Sequence, residues 1–183
     1  SEADEPHATF IENALAKARH AAHHAGGAAI ADDSGLCVDA LGSAPGVISA
    51  HFAAIDLPGA TDATRAAGAA RETQRALQDA ANNALLIERL HGALDRRARF
   101  VSTLVAVRSA DDPEPLVAVG RWFGEILSSP RGMGGFGYDP LMYIAALGCT
   151  VAELSAQVKN VHSHRAIAAE RMLQLIREAW RLG

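Results

Sequence analysis

The stretch Ala28-Ala29-Ile30-Ala31-Asp32-Asp33-Ser34-Gly35-Leu36-Cys37-Val38 decides how the chain is read. Small and apolar residues run into two adjacent carboxylates, a hydroxyl and a glycine. The apolar pattern then resumes. That order predicts a short buried strand ending in an acidic turn. Asp, Ser and Gly all favour turns, so an Asx-turn at a strand end explains the motif without any function. Neighbouring carboxylates are nevertheless costly to hold together unless a cation or basic partner is present. One of them can bind a hard cation such as Mg2+ while the other orients a water. The glycine lets a ligand approach the backbone closely. On this motif alone both readings stand.

Upstream, Thr9-Phe10-Ile11-Glu12 has the form of a capping box and predicts a helix from about Phe10. Ile11, Ala14, Leu15, Ala18 and Ala22 form its buried stripe, with Glu12, Asn13, Lys17 and His20 off it. Gly26-Gly27 ends it. Downstream, Leu41 to Gly46 is a turn-rich loop. Thr61 to His91 is Ala-rich and predicts helix, broken near Asn82-Asn83, and Ile55 to Asp79 has the low complexity of a local elaboration. Arg97–Val107 and Leu116–Leu127 predict a β-hairpin around the Asp111-Asp112-Pro113-Glu114-Pro115 turn. Leu141 to Ile144 is another short strand. Thr150 and Ser163 each cap a helix, the last with Ile167, Met172, Leu175, Ile176 and Ala179 inside.

Composition narrows the class. The chain has 183 residues, 49% hydrophobic and 21% charged, with a net charge of −4. That excludes a disordered or collagenous chain and gives no global attraction to nucleic-acid phosphates. Cys37 and Cys149 cannot build a disulfide framework, which points to a reducing, cytoplasmic setting. Charge-free stretches such as Pro140 to Ala152 are too short for a membrane span of ~18 residues, so no membrane partner is expected. The start, Ser1-Glu2-Ala3-Asp4-Glu5, is neither an initiator Met nor a signal peptide, and we expect a gene product that begins earlier.

Two further clusters carry chemistry. Gly134-Gly135-Phe136-Gly137-Tyr138-Asp139 combines free backbone, aromatic faces and an acceptor, which suits a flat heterocycle. The bland alternative is a tight turn with both rings in the core. Lys159, His164 and Arg165 gather positive charge at the start of the last helix, where anions are favoured; the alternative is a solvated linker with Ser163 as a plain cap. Lys17 taken alone reads as a surface lysine. His20, His23 and His24 share a helix side but lack a completing ligand, and are read as a solvated face. A carboxylate pair, a base loop and a cationic helix start together point to nucleotide hydrolysis, provided that the three segments meet in one crevice.

The ordered motifs Thr9-Phe10-Ile11-Glu12-Asn13-Ala14, Lys17-Ala18, Ala31-Asp32-Asp33-Ser34-Gly35-Leu36, Ala44-Pro45-Gly46, Gly134-Gly135-Phe136-Gly137-Tyr138-Asp139-Pro140 and Ser163-His164-Arg165 resemble those of one family. It is the noncanonical purine nucleoside triphosphate pyrophosphatase family, also called inosine triphosphate or XTP/dITP pyrophosphatases. The resemblance implies a single α/β domain over 1–183, an elongated mixed sheet flanked by helices, with a cleft between two lobes and commonly a homodimer. It implies a Mg2+-dependent hydrolase that cleaves ITP, dITP and XTP to the monophosphate and pyrophosphate. By position, Asp33 matches the proton acceptor and metal-linked aspartate, Asp32 its acidic neighbour and a further metal ligand, and Glu5 an acidic metal ligand. Lys17 matches a phosphate-contacting lysine, and Ser34 a substrate contact. Phe136, Gly137, Tyr138 and Asp139 match the base loop, and Lys159, His164 and Arg165 complete the pocket.

Three departures accompany the match. The family's opening strand and Thr/Ser-x-Asn-x-x-Lys phosphate loop are not in this chain, His51 stands where the family commonly has Arg, and the segment 55–79 is longer and richer in Ala. Two rival functions are weighed. One is a pyrimidine or modified-nucleotide pyrophosphatase of the same fold, as in the Maf-like group, against which the Phe136-Gly137-Tyr138-Asp139 and Ser163-His164-Arg165 motifs favour the purine enzyme. The other is a nucleotide-binding module without catalysis, prompted by the missing phosphate loop.

Overall fold

The computed structural model describes residues 7–54 and 67–180. Its elements are α1 (Phe10–Ala25), β1 (Ala29–Val38), α2 (Ala67–Arg89), β2 (Arg97–Val107), β3 (Leu116–Ile126), β4 (Met142–Ile144), β5 (Cys149–Thr150), α3 (Ala156–His162) and α4 (His164–Ala179), with short 3-10 turns between some of them. The strands form one sheet in the order β1-β2-β3-β4-β5. β2 and β3 are adjacent, as the expected hairpin requires. β4 runs antiparallel to β3, with Glu125 opposite Tyr143, and antiparallel to β5, with Tyr143 opposite Thr150.

The chain divides into two compact units. The first comprises Ser1–Gly35, Arg99–Trp122 and Ser155–Gly183; the second comprises Leu36–Ala98 and Phe123–Leu154. In the first unit, side-chain alternation along β2 puts a helix on either sheet face. Val105 and Val107 pack with Ala14, Ala18 and Ala22 of α1 and with Ala29 and Ala31 of β1. Leu104 and Ala106 pack with Met172, Leu175 and Ile176 of α4. Small residues allow close approach: a Cβ at Gly120 of β3 would collide with the His164 carbonyl oxygen of α4. In the second unit, the Arg96 guanidinium donates to the carbonyls of Leu90 (3.0 Å), Ile126 (2.5 Å) and Leu127 (3.0 Å), tying the end of α2 to the end of β3.

The helix caps follow the sequence closely. The Thr9 hydroxyl oxygen accepts from the Glu12 N–H at 3.3 Å, and Gly26 closes α1 at φ 67°. The Glu12 carboxylate accepts from the Thr9 hydroxyl at 2.6 Å rather than from its amide. Thr150 and Glu153 form a complete capping box, and the Ser163 hydroxyl oxygen accepts from the Ala166 N–H at 3.2 Å.

Four expectations are corrected. The acidic motif lies inside the continuous ten-residue strand β1, not in a turn at a strand end; neighbouring side chains bond its polar groups, so the backbone stays extended. Ile11 is 47% exposed and Asn13 1% exposed, the reverse of the predicted stripe, because Asn13 has a partner inside. α2 runs unbroken through Asn82-Asn83; both side chains bond other segments and so do not compete with the helix backbone. The segment before Ser163 contains a separate helix, α3, which holds Lys159 in its last turn, favourable for a cation. Thr61 to Ala66 of the expected helix, and Ile55 to Ala66 of the Ala-rich segment, lie outside the described residues. No described helix is long and apolar enough to cross a membrane.

Candidate active site

Strand alternation organises the acidic motif. Asp33 shares its face of β1 with Ala29 and Ala31 and points to α1, while Asp32 points to the opposite face, towards α4. Asp33 is 5% exposed. Lys17 of α1 donates to its Oδ1 at 2.8 Å and to the Asp32 carbonyl at 3.3 Å. Asn13, one helical turn before Lys17, donates to the Asp33 Oδ2 at 3.4 Å. The lysine that alone resembled a surface residue is therefore half-buried against a carboxylate.

Asp32 has different partners. The hydroxyls of Ser34 and Ser102 donate to it at 2.5 Å and 2.7 Å, and the Nε of Arg165 donates to it at 3.2 Å. Both its oxygens are engaged, and it anchors the guanidinium of Arg165. Next to Arg165, His164 is 5% exposed and stacks on Phe100 with ring centroids 5.0 Å apart. Arg165 Nη1 lies 3.4 Å from His164 Nε2. An arginine can only donate, so Nε2 accepts and the ring proton sits on Nδ1. That Nδ1 is buried without a partner. Burial, then the Arg165 charge, push the His164 pKa down to about 3; Lys159 adds to this and Asp32 opposes it.

The second unit holds the Gly-rich loop. Phe136 is 61% exposed, whereas the Tyr138 ring is buried and its hydroxyl donates to the Ser49 carbonyl at 2.9 Å. Of the two aromatics, Phe136 alone presents a broad face; Tyr138 follows the bland reading. Burial, helped by the Asp79 charge, pushes the Tyr138 pKa up. The buried Asp139 accepts the Phe136 N–H at 2.9 Å. Its carboxylate lies where a Cβ on Gly135 (φ 74°) would have to go, so only glycine fits there.

Of the expected site residues, the first unit brings together Lys17, Asp32, Asp33, Ser34, His164 and Arg165, and places Lys159 close enough to act on His164. Phe136 to Asp139 belong to the other unit. Glu5 lies outside the described residues. Among the described residues no group of three His, Cys, Asp or Glu could hold a metal, which includes the His20, His23 and His24 side of α1.

Residues 1–175 match the model of the Ham1 family. This chain belongs to the Ham1 family. The Ham1 chain is 66% identical over 180 residues to the dITP/XTP pyrophosphatase of Methylibium petroleiphilum, covering 98% of this chain and 82% of the relative. It is 65% identical over 183 residues to the dITP/XTP pyrophosphatase of Leptothrix cholodnii, covering 100% and 84%. The solved structure of a HAM1 protein from Coxiella burnetii superposes with a TM-score of 0.81 at 40% identity, covering 98% of this chain and 82% of that one.

Asn13 and Ser102 of this Ham1 chain were not singled out by sequence reasoning. Asn13 had a signal in its spacing, one turn before Lys17. Ser102 had one in being a hydroxyl, beside Thr103, within the otherwise apolar run from Phe100 to Val107.

Proposed function

We propose that this chain hydrolyses the noncanonical purine nucleoside triphosphates dITP, XTP and ITP to the monophosphate and pyrophosphate. The observation that supports the reaction is the 65–66% identity, over 98–100% of this chain, to relatives named dITP/XTP pyrophosphatase. The residue roles rest on the pairing of half-buried Lys17 with buried Asp33.

Asp33 accepts the proton of a water whose oxygen attacks the α-phosphorus, and the bond to the bridging oxygen breaks to release pyrophosphate. A carboxylate already held by Lys17 and Asn13 is fixed in one orientation, as a general base must be. The donor chemistry fits Mg2+, an ion commonly held by one or two carboxylates and the substrate's own phosphates rather than by a protein cage. Asp33 and Glu5 are the residues that would hold it, and the ion would supply charge neutralisation for the triphosphate. Asp32, on the other face of β1, carries three donors and holds Arg165. Lys17 offsets phosphate charge, and Ser34 borders the site. Lys159, His164 and Arg165 serve the base and the phosphates.

Phe136 stacks on the purine. Groups that pair with a 6-oxo edge would be left unpaired by a 6-amino base, which penalises ATP. The functional domain spans residues 1–183 as two lobes. The enzyme is proposed as a cytoplasmic homodimer with no nucleic-acid or membrane partner. Light scattering after size exclusion checks the dimer.

The deciding assay incubates the protein with Mg2+ and ITP, dTTP or ATP and resolves the products. IMP with pyrophosphate is expected from ITP. Turnover of dTTP alone would make it a pyrimidine enzyme, and tight ITP binding without products a non-catalytic module.

A further inference from the structure

The middle of α2 meets the Gly-rich loop through a polar face that the reaction itself does not use. Asp79 and Asn83 are one helical turn apart and so project from the same side of α2. The Gly137 N–H donates to Asp79 Oδ2 at 2.7 Å, and Asn83 Nδ2 donates to the Gly137 carbonyl at 2.9 Å. An acceptor and a donor therefore grip both polar ends of the residue next to Phe136. Gly137 has φ +60° and open space where a Cβ would sit, so its backbone shape, not its small size, is what the loop uses. Asn83 Oδ1 is buried without a partner. An amide kept at that cost is kept for its donor.

The same helix turn secures what surrounds the loop. Asn82 donates to the carbonyls of Ser49 (3.3 Å) and Ala50 (3.1 Å) and accepts the Ala53 N–H at 2.8 Å. Tyr138 donates to that same Ser49 carbonyl at 2.9 Å. The two residues that follow Phe136 are thus held while its ring stays exposed. A ring presented in one pose loses little freedom when a flat partner stacks on it.

We propose that Asp79 and Asn83 are positioning residues for base recognition, clamping the Gly137 peptide and thereby setting the pose of the Phe136 ring. The inference rests on the reading of Gly135–Asp139 as the base loop. Both side chains act through Gly137 and touch no reacting atom, so they govern substrate affinity rather than the hydrolytic step.

The test measures kcat, KM and the ITP-to-ATP preference of Asp79→Ala, Asp79→Asn, Asn83→Ala, Asn83→Asp and Phe136→Ala, with a thermal melt of each. Asp79→Ala and Asn83→Ala are expected to raise KM for ITP by ~10-fold with kcat within ~2-fold of the parent, and to lower the preference. Asp79→Asn keeps an acceptor for the Gly137 N–H and should recover most of the affinity. Asn83→Asp has the same shape but turns an acceptor towards a carbonyl, and should behave like alanine. If Phe136→Ala raises KM while Asp79→Ala and Asn83→Ala do not, the base loop stands and the clamp is overturned. If Asp79→Asn binds as weakly as Asp79→Ala and melts as low, the role is structural only and the clamp is again overturned. If Phe136→Ala leaves KM unchanged, the base-loop reading falls, and the clamp with it.

Discussion

At the scale of single residues, the Lys17–Asp33 pair makes the sharpest predictions. Asp33→Asn is expected to lower kcat by ~1000-fold, the middle of the range for losing a general base, in a chain that still folds. Steady-state kinetics with ITP and a far-UV spectrum check both halves. Lys17→Met leaves a buried carboxylate uncompensated, and since Lys17 is partly exposed the cost should be about 2 kcal/mol, less than for a fully buried pair. Urea unfolding at neutral pH measures it. His164 sets a pH dependence. Its pKa falls from 6.5 to about 3 in the folded chain. Between those values the unfolded chain takes the proton and the folded one does not, so the stability that neutral His164 contributes is complete above pH 6.5 and is lost as pH falls towards 3. Urea unfolding of His164→Asn should therefore depend less on pH between 7 and 4, by no more than about 1.4 kcal/mol per pH unit.

At the scale of elements, the period-two geometry of β1 turns two adjacent aspartates into two different devices. One faces α1 and is held by a lysine; the other faces α4 and holds an arginine. That division depends on the strand passing straight through the motif. Its α4 half depends on the close seating of α4 against β3, where Gly120 stands in place of a side chain. Gly120→Ala must displace backbone rather than a flexible side-chain tip, so a loss at the upper end of the usual 1–3 kcal/mol for overpacking is expected, about 3 kcal/mol. Arg165 should shift with α4, so KM for ITP should rise in the same variant. A thermal melt and a kinetic run on one preparation test both effects.

At the scale of the whole molecule, charge balance predicts how metal removal behaves. Lys17 already compensates Asp33 without a metal, so chelation with EDTA should abolish ITP hydrolysis while the melting temperature stays within ~2 °C, and added Mg2+ should restore the rate. A large drop in melting temperature would assign the metal a structural role. Local signals determined much of this protein from sequence alone. Thr9, Gly26, Thr150 and Ser163 mark element ends because caps satisfy groups within a few residues of themselves. The ordered motifs placed the chain in its family because chemistry constrains residue types in linear order. Tertiary structure alone decided the partners. Asn13 is buried because Asp33 comes within reach across 20 positions. Asp32 meets Arg165 across 133 positions, and Asp79 meets Gly137 across 58. Periodicity within one segment carries no record of such pairings, since it reports which face an element buries and not which polar group waits there.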